Sequence, residues 1–226
     1  MEPPRARHDA AAATRQFGRV IASAELAWEP SRRHAHGMAA ELAKRGQGAR
    51  FLLRDATRGS HERLDAAFST LNIANDDDYR VFLNAHAIAH AGLKGCWPAL
   101  YGLDGELDHV LHDLRALGQD ARALPLVDAP DLDRSMAGAA YVVAGSHFGK
   151  RVLLARRADG GRMGATAYLS STGTGTAWKI VLQELEGLSK DRLGWSRTVQ
   201  DAHATFDLFE RALRHARETC EPRSPK

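Results

Sequence analysis

Cysteine is scarce in this chain. Cys96 and Cys220 are the two in 226 residues, and they stand far apart without the C-x-x-C spacing of a zinc or redox site. Both are expected to be reduced thiols. Long apolar runs are missing as well: nothing approaches the roughly 20 residues that cross a bilayer, and the N-terminus lacks the continuous apolar segment of a secretory signal. Glu2, Asp9, Glu25, Glu29 and Glu41 count against a mitochondrial presequence, which is poor in acids. A cytoplasmic protein with no membrane partner is the expectation. Nor is there much excess of one charge. The net charge of +3 is small beside 31 basic and 28 acidic side chains, and no basic run carries interleaved aromatics, so no nucleic-acid partner is expected.

Strand-type alternation is absent too, and from about Arg50 onward the apolar residues recur at helical spacing. Helices are predicted near 50–68, 77–101, 105–121, 131–158, 176–193 and 198–219, with breaks at Gly102, Pro125, Pro130 and Gly194. Asn75 ahead of Asp76, Asp77 and Asp78 reads as a helix cap followed by acids that suit the helix dipole. The fold class is all-α, one helical domain over 49–219. Residues 1–48, rich in Ala, Arg and His, read as a flexible extension with a weak amphipathic helix around Phe17, Val20, Ile21 and Trp28, and Met38 as an alternative start. Residues 220–226 read as a disordered tail.

Two places carry chemistry. In the apolar stretch 139–154, Gly145 and Gly149 lie one turn apart, about 40° around the helix axis. Glycine inside a helix costs roughly 0.5–1 kcal/mol relative to alanine, so a pair on one face needs a reason. A flat ligand pressed on the backbone is one, and close helix packing is another. On the first helix Leu53, Thr57, His61, Leu64 and Phe68 recur at steps of three and four, which puts the His61 imidazole on the apolar stripe. By spacing alone it reads as a metal ligand or as a core histidine bonded to a carbonyl.

The residues around these positions resemble the heme oxygenase family in its bacterial, biliverdin-producing form. Leu53-Arg54-x-Ala56-Thr57-x-x-x-His61-x-x-Leu64 is similar to the proximal helix, whose histidine ligates heme iron. Tyr79-x-x-Phe82-Leu83-x-Ala85-His86-Ala87 resembles the second core helix, and Tyr141-Val142-Val143-x-Gly145-Ser146-x-x-Gly149 the distal helix. Tyr168-Leu169, Trp178 and Ala204-Thr205-Phe206 follow in order. The resemblance spans about residues 50–215. It implies a single helical bundle holding heme between a proximal and a glycine-kinked distal helix, and cleavage of heme to biliverdin, iron and carbon monoxide.

The same resemblance assigns roles. His61 becomes the iron ligand, oriented by an acceptor to its other ring nitrogen. Gly145, Ser146 and Gly149 become the catalytic distal segment, where bare backbone faces the dioxygen that reacts. Arg54, Lys179, Lys150 and Phe148 become the heme contacts, the three cations as candidate partners of its propionates. Electrons must come from a partner such as a ferredoxin or a flavin reductase. The chain departs from the family at Lys150, where many members have glycine, at Ala144, where bacterial members often have glutamate, and at Ser146, where some have aspartate. These departures keep open a non-catalytic heme carrier or sensor of the same fold.

Other constellations are weaker. His147 lies about 200° from both glycines, which turns it away from the patch they clear. His86 and His90 are spaced i, i+4, with His109 and His112 nearby in sequence, but no third ligand and no E-x-x-H signature accompany them, so one is expected to be structural and the others exposed. Thr172-Gly173-Thr174-Gly175-Thr176 lacks the strand and the Gly-Lys-Ser ending of a phosphate loop and reads as a flexible connection capping the next helix.

Overall fold

The computed structural model describes residues 48–119, 127–132, 136–162, 164–188 and 192–220. The expectations for residues 1–47, Met38 among them, for Pro125 and for the tail from 221 lie outside the described residues. Every regular element among them is helical, and none of these helices is long and apolar enough to cross a membrane.

Helix α1 (Ala49–Phe68) begins where the Ala49 N–H donates to Glu186 Oε1 at 3.1 Å. Helix α2 (Asp76–Gly92) begins as its residues dictate: the Asn75 side chain accepts from the Asp77 and Asp78 N–H groups at 2.7 and 3.3 Å, and three aspartates fill the first turn. It stops at Gly92, nine residues short of the expectation. Gly95 takes a left-handed φ of +76° and Pro98 has no N–H to offer, so the chain resumes only as a 3₁₀ turn at Ala99–Tyr101. Helix α3 (Gly105–Ala116) ends before Gly118, whose φ is +78°.

The expected helix over 131–158 is two, α4 (Ala137–Gly145) and α5 (His147–Asp159), with Ser146 between them. A short α6 (Ala167–Ser170) is held at its start by the buried Asp113, which accepts from the Ala167 and Tyr168 N–H groups at 2.9 Å each. Helix α7 (Gly173–Leu188) takes up the Thr-Gly repeat as its own first turn, which corrects the reading of that repeat as a connection. Helix α8 (Arg192–Cys220) runs through Gly194, another correction. Gly194 sits in the first turn, and its carbonyl accepts from Thr198 Oγ1 at 2.8 Å.

Helix α8 is the column against which α1, α2 and α4 pack, and α4 also lies along α7. The α4–α8 crossing is close because of Gly138: a β-carbon there would stand 2.1 Å from the Thr198 carbonyl oxygen and 2.8 Å from the Ala202 nitrogen. Backbone cannot yield as a side chain does. Gly138→Ala is therefore expected to destabilise the fold by at least the about 1–3 kcal/mol of ordinary overpacking, read as a lower urea midpoint.

Apolar burial falls into two clusters. One joins Leu53, Ile88, Val143, Val181 and Leu213, and the other joins Tyr79, Leu83, Val110, Leu114 and Leu169. The fully buried Arg157 clips the second together. Its guanidinium lies 3.8 Å above the Tyr79 ring and donates to the Ile73 carbonyl at 3.0 Å and to Asp76 at 3.2 Å.

Candidate functional site

The buried stripe of α1 changes character along its length. Leu53 and Thr57 are 0% and 1% exposed, packed in the core, whereas His61, Leu64 and Phe68 are only half-buried because they face a cleft. His61 was expected on the buried stripe and is half-buried, facing the cleft. The cleft is open at its mouth and spans about 1040 Å³ when that open space is included. Its walls come from α1, from Phe82, His86 and His90 on α2, from α4 and α5, from Tyr168 and Trp178, and from Phe206 and Phe209 on α8.

His61 Nδ1 stands 3.1 Å from Asp65 Oδ2, one turn further along α1, and the ring meets Phe206 edge-on with centroids 5.7 Å apart. A carboxylate that takes the Nδ1 proton makes Nε2 the lone-pair nitrogen, the arrangement that orients histidines as metal ligands. Asp65 was passed over in the sequence, although its i, i+4 spacing from His61 is the signal that finds it.

Facing α1 are Gly145, Ser146, Gly149 and Lys150. A β-carbon on Gly149 would have nothing within 4 Å, and one on Gly145 would meet only the Trp178 ring, at 3.5 Å. The two readings divide between the pair: Gly145 packs against the Trp178 ring, while Gly149 opens onto the cleft. Between the pair the helix is interrupted. Ser146 Oγ donates to the Val143 carbonyl at 2.7 Å and His147 Nδ1 to the Ala144 carbonyl at 2.8 Å, so side chains take up carbonyls at the break. Ser146 thus reaches the cleft with its hydroxyl proton already committed. His147 packs on Phe148 and Trp178 away from the cleft, as its helical angle requires, and burial lowers its pKa.

Lys150 lines the cleft but its charge is spent elsewhere. The 3% exposed side chain pairs with the buried Glu106, donates to Ser171 Oγ at 2.9 Å, and places Nζ 3.9 Å above the Tyr168 ring. Burial lowers its pKa while Glu106 holds it up. A propionate would compete with Glu106 for that cation. Lys150→Met is expected to cost about 3–5 kcal/mol by stranding the carboxylate, and the added change Glu106→Gln to restore most of it, both read by urea denaturation.

The remaining expected heme contacts do not line the cleft. Arg54 lies 5.2 Å from the Phe51 ring and 3.8 Å from Asp55 with its side chain 47% exposed, Lys179 is exposed, and Phe148 packs against Trp178. The resemblance placed Arg54 at the heme, but it precedes His61 by seven residues, nearly the same helical angle and about 10 Å back along α1, where Phe51 and Asp55 lie beside it instead.

Of the four histidines, His109 and His112 are exposed as expected, but two are buried and not one. His86 and His90 are both buried and both line the cleft. His86 Nδ1 donates to the Phe82 carbonyl at 2.9 Å, and desolvation pushes its pKa down to about 3. His90 Nε2 lies 3.3 Å from the Tyr168 hydroxyl, and burial first, then the neighbouring His86 and Lys150, push its pKa well below the usual imidazole value. Tyr168 is the residue that links α6 to this wall, and only the tertiary fold brings it there. No group of three or more histidines, cysteines and carboxylates suited to a metal ion occurs among the described residues.

Compared with family models, curated proteins and solved structures, the chain matches none.

Proposed function

We propose that this chain is a heme oxygenase, cleaving heme to biliverdin, iron and carbon monoxide with dioxygen and electrons from a ferredoxin or flavin reductase. The observation that carries the reading is one cleft with His61, its Nδ1 held by Asp65, on one wall and Gly149, whose missing side chain leaves open space, on the other. The cleft is apolar over most of its lining and open at its mouth, as a site that admits the edge of a flat apolar ligand must be.

Bound heme, the substrate, supplies the iron at which dioxygen is reduced and the porphyrin carbon that is oxidised. The protein's part is to bind, orient and exclude. His61 offers a neutral imidazole whose tautomer Asp65 fixes. Gly149 leaves helix backbone bare toward the cleft, while Gly145 lets the Trp178 ring lie close against the helix beside it. Leu64, Phe68, Phe206 and Phe209 keep water from the apolar faces. Ser146, its proton given to Val143, presents oxygen lone pairs that accept from ordered water.

A single-turnover experiment tests the reading. The hemin-loaded chain, given oxygen and a reductant, is expected to lose its Soret band, to develop a biliverdin spectrum and to release iron. Heme that stays intact under those conditions marks a carrier or sensor and contradicts catalysis.

A further inference from the structure

The two α2 histidines solve the same problem differently. His86 gives its Nδ1 proton to a carbonyl one turn back, the usual refuge for a helical side-chain donor. His90 does not: its Nδ1 is buried and has no partner, although the side chain is 3% exposed and lines the cleft. Leaving a buried polar atom unpaired is costly, and the few that persist have a cause.

The tautomer follows from Tyr168. Its hydroxyl lies 3.3 Å from His90 Nε2, and no other hydrogen-bond partner for that hydroxyl occurs among the described residues. If Nε2 held the proton, the Tyr168 O–H and the Nδ1 lone pair would both be stranded. With Tyr168 donating to Nε2, one group remains unpaired, the Nδ1–H. The Lys150 ammonium above the Tyr168 ring opposes a second proton on the imidazole, so the donor stays single and neutral. Asp113 fixes the Tyr168 backbone through its N–H, which keeps the hydroxyl in place.

We propose that His90 is a hydrogen-bond donor of fixed tautomer that makes the inner wall of the cleft a recognition site for a small acceptor, with Tyr168 as its positioning residue. In the empty cleft the acceptor is an ordered water. When a tetrapyrrole fills it, the acceptor is the exchangeable ligand at the metal, a half of the claim that rests on the proposed function. His90 is then a donor and not a shuttle, because its other nitrogen leads only to a tyrosine whose proton is already given.

Nitrogen-15 NMR of the hemin-free protein tests the first half. His90 is expected as the Nδ1–H tautomer from pH 5 to 8, with a cross-peak from that proton to a long-lived water, and Tyr168→Phe is expected to release the tautomer. An Nε2–H tautomer or no water contact overturns the proposal whether or not hemin binds. Fluoride, a strong acceptor, tests the second half on the ferric hemin complex. His90→Phe is expected to weaken fluoride binding about tenfold and Tyr168→Phe by less, each measured on chain saturated with hemin. Equal fluoride affinity in wild type and His90→Phe overturns that half. Failure of hemin itself to bind removes the proposed function, and the claim on His90 is then decided by the tautomer and its water.

Discussion

Replacing His61 by alanine is expected to lower heme turnover by at least about 100-fold, a loss near 2.7 kcal/mol in the barrier. The ferric absorption spectrum should change with it. The side chain is 43% exposed and faces the cleft, so its removal opens no core cavity and the variant should unfold at nearly the wild-type urea concentration. That separation makes the result informative, because a core histidine would lower stability and a ligand lowers chemistry. Asp65→Asn supplies the graded companion. It keeps the shape of the partner but weakens its hold on the Nδ1 proton, and outer partners of this kind typically carry 10- to 100-fold in affinity or activity. Wild-type turnover and an unchanged ferric spectrum in His61→Ala would remove the assigned ligand.

Gly149→Leu tests the facing wall, and its two readouts should move in opposite directions. In a helix leucine is favoured over glycine by roughly 0.8 kcal/mol, and a β-carbon there meets nothing within 4 Å, so the folded state should be as stable as wild type or more so. Hemin affinity should fall by about 100-fold or more, because the leucine projects into space the ligand needs. Gly138→Ala is the contrast. There the neighbouring atom is the Thr198 carbonyl, so stability falls and the cleft is untouched. If Gly149→Leu bound hemin and turned it over normally, the open space beside that glycine would serve no ligand.

The sequence was most legible where local chemistry decides. Asn75 and its three aspartates named the start of α2 to within a residue, because a cap is made by neighbours in the chain. The glycine pair and His61 could be picked out by period alone, and both face the same cleft. Helix ends were overrun wherever a left-handed glycine, at 95 or 118, stops a pattern whose apolar spacing continues. What the sequence hid is tertiary. The deep burial of His86 and His90 depends on α8 covering α2, and the placement of Tyr168 depends on Asp113, more than fifty residues earlier. Lys150 looked like a cation for an acidic ligand until Glu106, from another helix, claimed it. Arg54 came from the resemblance alone, and it stands two helical turns before His61, outside the cleft lining.

The most direct measurement of the central claim is an absorption titration of the purified chain with hemin. The account predicts a Soret band that rises to a sharp end point at one hemin per chain, and that shifts or weakens when His61 is alanine. A featureless rise matching hemin in buffer, with no end point, would contradict it.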